Sequence, residues 1–363
     1  MKDFLTNRQI AFILLGVIMG FGNLELPKNI AEKVGTGAWI AILIATCIAC
    51  VMVWINTYVS YIYKEQTLYE YGELLLGKTL RTIIVVIYIV FFFVSVTYIV
   101  ENSSLVIKLT ILLKTPLWVI CLIYYLITYY AVTKGIRVIA RICELYGIVI
   151  IVSIIITHLL MFTEGKLINI RPFFYPLEVK SYIKGIIEMV FPFLGMELLS
   201  IIPMNEKNEG VWKQNVFMVA LIGGMYVLIV ESCISVMGVD DIVHYNDALL
   251  AVIRRIDISY LELFKRLDGI FIISWIMGIF STLVIYSYGT SYLLSNYFKK
   301  TNINFLTGVI LMISFVITIL PKRNYIQMPM IVKIIKYLGV FCTVIVPIIL
   351  FIITKVKKYD EKI

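Results

Sequence analysis

Apolar segments long enough to cross a bilayer recur along the whole chain and leave little sequence for anything else. A transmembrane helix needs about 20 apolar residues, and ten segments come close to that length. They lie at 9–34, 39–63, 82–107, 116–133, 138–162, 182–203, 214–237, 267–297, 303–320 and 331–354. The connectors are short and carry the charge. The sequence therefore predicts an all-α integral membrane protein of about ten transmembrane helices, folded as a single transmembrane domain over 1–363.

Composition and charge agree with a membrane location. The chain is 61% hydrophobic and 15% charged, whereas soluble domains are about half apolar and about a quarter charged. The net charge is +9, but Lys and Arg flank the apolar segments, where lipid headgroups rather than nucleic acid are the expected partners. Lys and Arg divide equally between the two faces, so they do not fix the orientation. The cluster Lys355, Lys357 and Lys358 favours a cytoplasmic C-terminus, and ten crossings place the N-terminus on that side.

Cysteine and histidine usage gives no sign of a metal site or a cofactor. The single Cys-x-x-Cys pair, Cys47 and Cys50, lies inside an apolar segment, where small buried side chains are expected. The chain has two His residues, too few for a histidine-based metal centre, and His158 is expected near the end of a span. Because the sequence presents no nucleophile–base constellation, an enzyme is not expected.

Two of the apolar segments are interrupted in the same way. The first interruption runs from Met19 to Pro27 and the second from Phe191 to Pro203, and each has Gly, then Glu, then Pro. Gly and Pro weaken the hydrogen-bond ladder of a helix. In lipid, the freed backbone groups are tolerated only where protein or a water-filled cavity satisfies them. Two such breaks in corresponding halves indicate a transporter-type binding site.

The positions of the breaks predict internal symmetry. Breaks in the first and sixth of ten segments indicate two five-helix halves, over about 9–162 and 182–354. Because five is odd, the second half enters the membrane from the opposite side, which gives an inverted repeat. This symmetry places the two breaks face to face near the midplane. The N-termini of half-helices there would offer backbone N–H groups to a carboxylate.

Small and hydroxylated residues near the breaks are candidate ligand contacts. Gly20, Gly22 and Gly195 would let the backbone approach a ligand, or would serve close helix packing instead. Thr282 and Tyr286 are four residues apart and share one face of the eighth helix, with Ser281 beside them. Their hydroxyls could bind a ligand or an ion, or could form bonds between helices.

Four glutamates lie inside apolar segments, where an ionisable side chain is costly and suggests function. Glu101 is followed by Asn102, Ser103 and Ser104, and this polar patch could line a proton or water path. The alternative is a neutral structural carboxylic acid. Glu197 could serve an ion path or fix the break by accepting freed N–H groups. Glu188 and Glu231 stay unassigned.

One connector has a helical pattern of its own. Between Ala248 and Phe264, apolar pairs alternate with charged residues, which predicts a helix across one mouth of the protein. A gating role and a purely interfacial role both stay open.

These motifs, in this order, carry a family resemblance. They are Gly20-Phe21-Gly22 with Leu26-Pro27, Phe193 to Glu197 with Pro203, Glu101, and the eighth segment from Trp275 to Tyr286. The chain resembles the permease-like B subunit of the GerA type of spore germinant receptor, within the amino acid–polyamine–organocation transporter superfamily. The sequence departs from that pattern at Asn23, which is polar, and at Pro192, which directly precedes Phe193.

The resemblance implies a protein of the spore inner membrane, assembled with an A subunit and a lipoprotein C subunit. It implies recognition of a small nutrient, usually an amino acid, that triggers germination, with Phe21 and Phe193 joining the ligand contacts. The alternative is a secondary amino acid transporter coupled to H⁺ or Na⁺, in which Ser281 and Thr282 could be ion ligands.

Overall fold

The computed structural model describes residues 4–21, 24–174, 179–245, 247–256, 267–298, 301–320 and 324–357. Within these ranges the chain is helical and has no strand. The α-helices are α1 Asn7–Met19, α2 Leu26–Val34, α3 Ala38–Ile62, α4 Leu68–Thr110, α5 Leu117–Thr133, α6 Ile136–Thr163, α7 Leu167–Ile170, α8 Val179–Glu188, α9 Val211–Met237, α10 Val239–Ile242, α11 Ala248–Arg254, α12 Leu267–Tyr297, α13 Ile303–Ile319, α14 Asn324–Val340 and α15 Val346–Val356.

The lengths and composition of these helices are those of a membrane protein. Six helical stretches are long and apolar enough to cross a bilayer, and α1, α5 and α13 are shorter apolar helices. Large apolar side chains on outer helices are exposed, among them Leu126, Phe217 and Met312. On a soluble protein such faces would be unfavourable, whereas lipid accommodates them. The predicted all-α membrane class is confirmed.

The first predicted segment is broken where the sequence indicated. α1 begins at a capping box, in which Thr6 and Gln9 exchange side-chain-to-backbone bonds. It ends at Met19, and the next helix, α2, has Pro27 in its first turn, a position that lacks an intrahelical N–H partner in any case. The break therefore consists of residues 20–25, of which 22 and 23 lie outside the described residues.

The sixth segment differs from its prediction in its second half. α8 ends at Glu188, and turns lead to a 3₁₀ helix over Met196–Ser200. Gly195 has a φ of +127°, a backbone conformation that residues with a Cβ rarely adopt. Because Pro192, Gly195 and Pro203 interrupt this stretch, too little chain remains between them for an α-helix. The half-helix expected after the second break is therefore wrong, and a short 3₁₀ helix takes its place.

Two other long helices are irregular. α4 starts at Leu68, well before the predicted 82, and contains a kink at Gly77, where φ is +80°. The tenth segment comprises α14 and α15 joined by a π-helix over Phe341–Ile345. Insertions of π-helical geometry occur frequently at functional sites, and this one faces the second break.

α1 lies in the centre of the bundle. It packs against α6, α9 and α12, and α12 also packs against α4, α5 and α13. The apolar side chains of α1 point to all sides of the helix, and six of them have no exposed surface, namely Ile10, Ile13, Leu14, Leu15, Val17 and Ile18. A helix that is apolar all round is a buried helix. α1 and residues 191–200 of the second break are thus held inside the protein rather than against lipid.

Both described ends of the chain lie on one face, which we call the N-terminal face. Tyr63 and Thr354 share a hydrogen bond of 3.0 Å between their hydroxyls. The Lys357 ammonium donates to the Leu75 carbonyl at 3.2 Å, and the Asn208 amide donates to the Leu5 carbonyl at 2.9 Å. The ten crossings that the sequence predicts, an even number, would place both ends on one face.

The connector helix lies beside the first break on the opposite face. α11 covers Ala248–Arg254, the first part of the predicted helix, whereas 257–266 lie outside the described residues. The Leu249 N–H donates to the Leu24 carbonyl at 3.3 Å. Burial raises the pKa of the Asp247 carboxyl, which precedes α11, and Arg254 opposes that shift.

We expect Gly223→Ala to destabilise the pairing of α3 with α9, since an added Cβ would overlap the Thr46 side chain. Overpacking of this kind costs about 1–3 kcal/mol. The neighbouring Gly224→Ala is a matched control, because a Cβ there meets nothing within 4 Å. Thermal unfolding of the detergent-solubilised protein would show a lower midpoint for Gly223→Ala than for Gly224→Ala. Equal midpoints would contradict the described packing.

Candidate functional site

The two breaks touch each other, and one tyrosine binds both. The Tyr226 hydroxyl, on α9, lies 3.1 Å from the Ile18 carbonyl oxygen and 2.8 Å from that of Pro192. A Cβ added at Gly195 would lie 2.8 Å from Val17 Cγ1. The end of α1 and the second break are therefore in direct van der Waals contact, with the Ile18 and Pro192 carbonyls directed at one phenol.

A buried carboxyl group forms the centre of the site. Glu197 has no exposed surface, and its Oε1 accepts the Tyr286 hydroxyl at 2.8 Å. Its Oε2 accepts the Thr343 hydroxyl at 2.8 Å and the Gly195 N–H at 2.9 Å. A carboxyl group withdrawn from water requires such partners, and bonds to an ionised one are the strong kind. Glu197 thereby joins the second break to α12 and to the π-helix.

An aromatic layer lies against this carboxyl group. The Tyr286 ring stacks on Phe92 with centroids 4.8 Å apart, and Phe21 meets Tyr286 edge-on at 5.9 Å. Phe21 also meets Phe191 edge-on at 5.0 Å. Each break thus contributes one phenylalanine to a continuous layer. The ring pairs adopt the stacked and T-shaped geometries that aromatic side chains prefer.

Thr282 and Gly20 hold the first break against α12. The Thr282 hydroxyl lies 3.0 Å from the Val17 carbonyl and 3.3 Å from the Gly16 carbonyl, which are freed acceptors at the end of α1. A Cβ at Gly20 would overlap Thr282 Oγ1 and the Gly278 carbonyl. In this conformation both predicted site residues therefore serve close helix contact.

The remaining candidates near the breaks occupy several places. Phe193 meets the Tyr226 ring edge-on at 5.3 Å. Ser281 donates to Met277 of its own helix at 2.9 Å, and a Cβ at Gly16 would lie 2.8 Å from Ser281 Cβ. Ser281 therefore faces α1 through packing rather than through an open cavity. Gly22 lies outside the described residues.

Two pockets lie on opposite sides of the aromatic layer. The outer pocket is lined by residues of the first break, α4 and α12, namely Gly20, Phe21, Leu24, Glu25, Tyr98, Ile99, Asn102, Ser103, Trp275 and Ile279. The inner pocket lies towards the N-terminal face, and its lining includes Leu5, Glu65, Glu70, Ile201, Ile285, Tyr288 and Tyr292. α12 runs from one pocket to the other, and Ile279 and Ile285 are about 9 Å apart along its axis. Thr282 lies between these two residues.

The charged residues inside the predicted segments have defined surroundings. Glu101 is 7% exposed, and Asn102 and Ser103 beside it line the outer pocket. Glu188 pairs with the Lys336 ammonium at 2.6 Å. That ammonium also lies 5.6 Å from the centre of the Phe191 ring, so this ion pair covers the aromatic layer from the outer side.

Histidine and metal-ligand geometry give no further site in the described part of the chain. The His158 Nδ1 lies 2.7 Å from the Ser232 hydroxyl, near the end of α6. Across the described residues, no group of three or more His, Cys, Asp or Glu side chains could hold a metal ion.

Sequence reasoning missed Thr343, Tyr226 and Phe92. Thr343 is a hydroxyl residue inside an apolar segment, four residues before Pro347, and this combination could have marked an irregular helix. Tyr226 and Phe92 carry no such signal, because each is one aromatic residue among many in an apolar helix.

Comparisons with known proteins agree on one family. A protein-family model described as "Spore germination protein" matches residues 4–327. Spore germination protein YndE of Bacillus subtilis strain 168 is 24% identical over 360 residues, covering 99% of this chain and 98% of the relative. Spore germination protein GerLB of Bacillus cereus is 23% identical over 358 residues, covering 97% and 94%.

Solved transporter structures share the fold. MhsT in complex with L-phenylalanine gives a TM-score of 0.64 at 12% identity, covering 97% of this chain and 99% of that chain. Mhp1, a nucleobase-cation-symport-1 family transporter in a closed conformation with bromovinylhydantoin bound, gives 0.66 at 11% identity, covering 94% and 78%. At these identities the likeness concerns the fold alone.

We expect Tyr286→Phe and Thr343→Val each to lower the free energy of unfolding by about 1–3 kcal/mol, because each removes a donor from a buried carboxyl group. Since both side chains bond to Glu197, the loss of unfolding free energy in the double variant should differ from the sum of the two single losses. We expect this coupling energy to be at least about 0.5 kcal/mol. Unfolding in mixed detergent micelles measures all three.

Thr290→Val is the matched control, since that hydroxyl bonds within its own helix to the Tyr286 carbonyl at 2.8 Å. Strict additivity of the two site variants would show that Tyr286 and Thr343 do not act through a shared Glu197.

Proposed function

The chain belongs to the spore germination protein family, and on that premise we propose that it is a receptor subunit that recognises a small nutrient and signals germination. It is an integral membrane protein of permease-like fold. The observation that carries the proposal is the contact between two broken segments inside this fold, at Tyr226. Broken helices in corresponding halves are where transporters of this kind bind small molecules.

We assign the ligand site to the surroundings of the two breaks. The proposed ligand contacts are Gly20, Phe21, Gly22, Phe193, Gly195, Thr282 and Tyr286, and Glu101, Ser281 and Glu197 are the proposed ion, proton or water path. An amino acid is the proposed nutrient. The L-phenylalanine bound to MhsT, which has the same fold, supports this ligand class.

Signalling would use a conformational equilibrium. A ligand shifts such an equilibrium only through different affinities for its two states. The aromatic layer between the two pockets supports a two-state element, since opening it to either side would break the stacking of Tyr286 on Phe92. The proposed receivers of the signal are a germinant receptor A subunit and a lipoprotein C subunit in the spore inner membrane. We further propose one domain made of two inverted repeats, over about 9–162 and 182–354.

A coupled secondary amino acid transporter is the second candidate. The two pockets on opposite sides of one layer favour it, because transport needs access from both faces. Reconstitution of this chain alone in vesicles separates the two functions. Accumulation of a labelled amino acid driven by an H⁺ or Na⁺ gradient would contradict a purely signalling role.

Germination dose–response curves to a panel of amino acids test the receptor function. Thr282→Ala spores should need a higher nutrient concentration, by about fivefold for the loss of about 1 kcal/mol in one interhelical bond. Gly20→Val should abolish the response, because the added side chain overlaps Thr282 and Gly278. Thr290→Ala serves as the control on the same helix, and subunit abundance is measured in every strain.

An unchanged response of Thr282→Ala and Gly20→Val spores at equal abundance would place the nutrient site elsewhere. The fold would stand, and the ligand would then belong to a partner subunit.

A further inference from the structure

The backbone N–H groups at the described ends of the breaks already have acceptors. The N–H groups of Gly20 and Phe21 both donate to the Ile18 carbonyl. The Gly195 N–H donates to the Glu197 carboxyl at 2.9 Å. These three donors are thus engaged, and at the second break the engaging group is itself a carboxyl.

The outer pocket is lined by Glu25, the glutamate of the first break. Its lining includes Glu25 together with three aromatic residues, Phe21, Tyr98 and Trp275. Tyr98 and Trp275 are each 8% exposed, so the aromatic walls are largely withdrawn from solvent. A carboxyl group among aromatic faces is the chemistry that recognises an ammonium group, through ion pairing and through attraction to the ring faces.

Glu25 has charged neighbours of both signs. Lys28, Lys336 and Asp247 all act electrostatically on Glu25, and Asn29 bonds to it. Lys336 is committed elsewhere, because its ammonium pairs with Glu188 at 2.6 Å and lies over the Phe191 ring. Asp247 adds a second negative group on the outer side.

We propose that the outer pocket is the subsite for a primary ammonium group of the ligand, with Glu25 as its counter-charge and Phe21, Tyr98 and Trp275 as its walls. The inference rests on the proposed function, in that the ligand is a small nutrient, and it specifies the chemical group that the first break recognises. Compounds with an ammonium group should bind without a carboxylate, whereas carboxylates without an ammonium group should not.

Binding of labelled ethylamine to the full-length chain in lipid nanodiscs tests the subsite. We expect saturable binding that unlabelled ethylamine displaces and propionate does not. Glu25→Gln should weaken it at least tenfold, because it removes the counter-charge while keeping the size of the side chain. Trp275→Leu should weaken it by about fivefold through loss of one ring face.

Glu32→Gln is the matched control, since Glu32 lies exposed on α2, the helix that Glu25 directly precedes. Thermal unfolding of each variant establishes that it is folded, and the ethylamine–propionate comparison needs no variant at all. Absence of saturable ethylamine binding to the parent chain, equal displacement by propionate, or unchanged binding by folded Glu25→Gln would each overturn the subsite.

Germination assays on the same variants separate the two proposals. If Glu25→Gln weakens ethylamine binding in nanodiscs but leaves the germination response of spores to nutrients unchanged, the subsite stands and its role in germination is rejected. A nutrient response that survives Glu25→Gln, together with unaltered ethylamine binding, would reject the subsite and leave the receptor function intact.

Discussion

The structure depends on satisfying backbone groups that two helix breaks release inside a membrane. Each unsatisfied group in hydrocarbon costs several kcal/mol, so the breaks persist only because side chains from other helices and from the breaks themselves bond to these groups. The Tyr226 hydroxyl donates to the Ile18 and Pro192 carbonyls, and the Thr282 hydroxyl donates to the Val17 carbonyl near the end of α1. The Glu197 carboxyl accepts the Gly195 N–H. α9 and α12 therefore bond to the backbone at the breaks in addition to packing through apolar side chains.

These bonds also make the breaks responsive. A carbonyl bonded to a hydroxyl on another helix can exchange that partner for a ligand, whereas one bonded within a regular helix cannot without unwinding. The Glu197 carboxyl has three donors on three different segments, so displacing one donor changes how the second break, α12 and the π-helix fit together. Under the proposed function, a small ligand would shift a large element through this one buried group.

Segment lengths predicted most of the helices because the bilayer sets them. The predicted 267–297 coincides with α12, and 214–237 with most of α9. The sequence does not predict the start of α4 at Leu68, because its first turns carry charged residues. A criterion based on the length of apolar segments excludes such turns. Gly195 was recognised as a break from its residue type alone. Tyr226 could not be found, since its role depends on two carbonyls that only the folded chain brings to it.

The two breaks share the order Gly, Glu, Pro, yet their glutamates end in different environments. In the second break Glu197 follows Gly195 by two residues, close enough for its carboxyl to return to the Gly195 N–H. In the first break Glu25 directly precedes α2 and lines the outer pocket. Glu197 therefore stabilises the fold at the second break, whereas Glu25 lines a pocket together with aromatic residues. The Glu197 carboxyl already occupies the Gly195 N–H, whereas Glu25 lines the outer pocket, where we propose that the charge of the ligand is recognised.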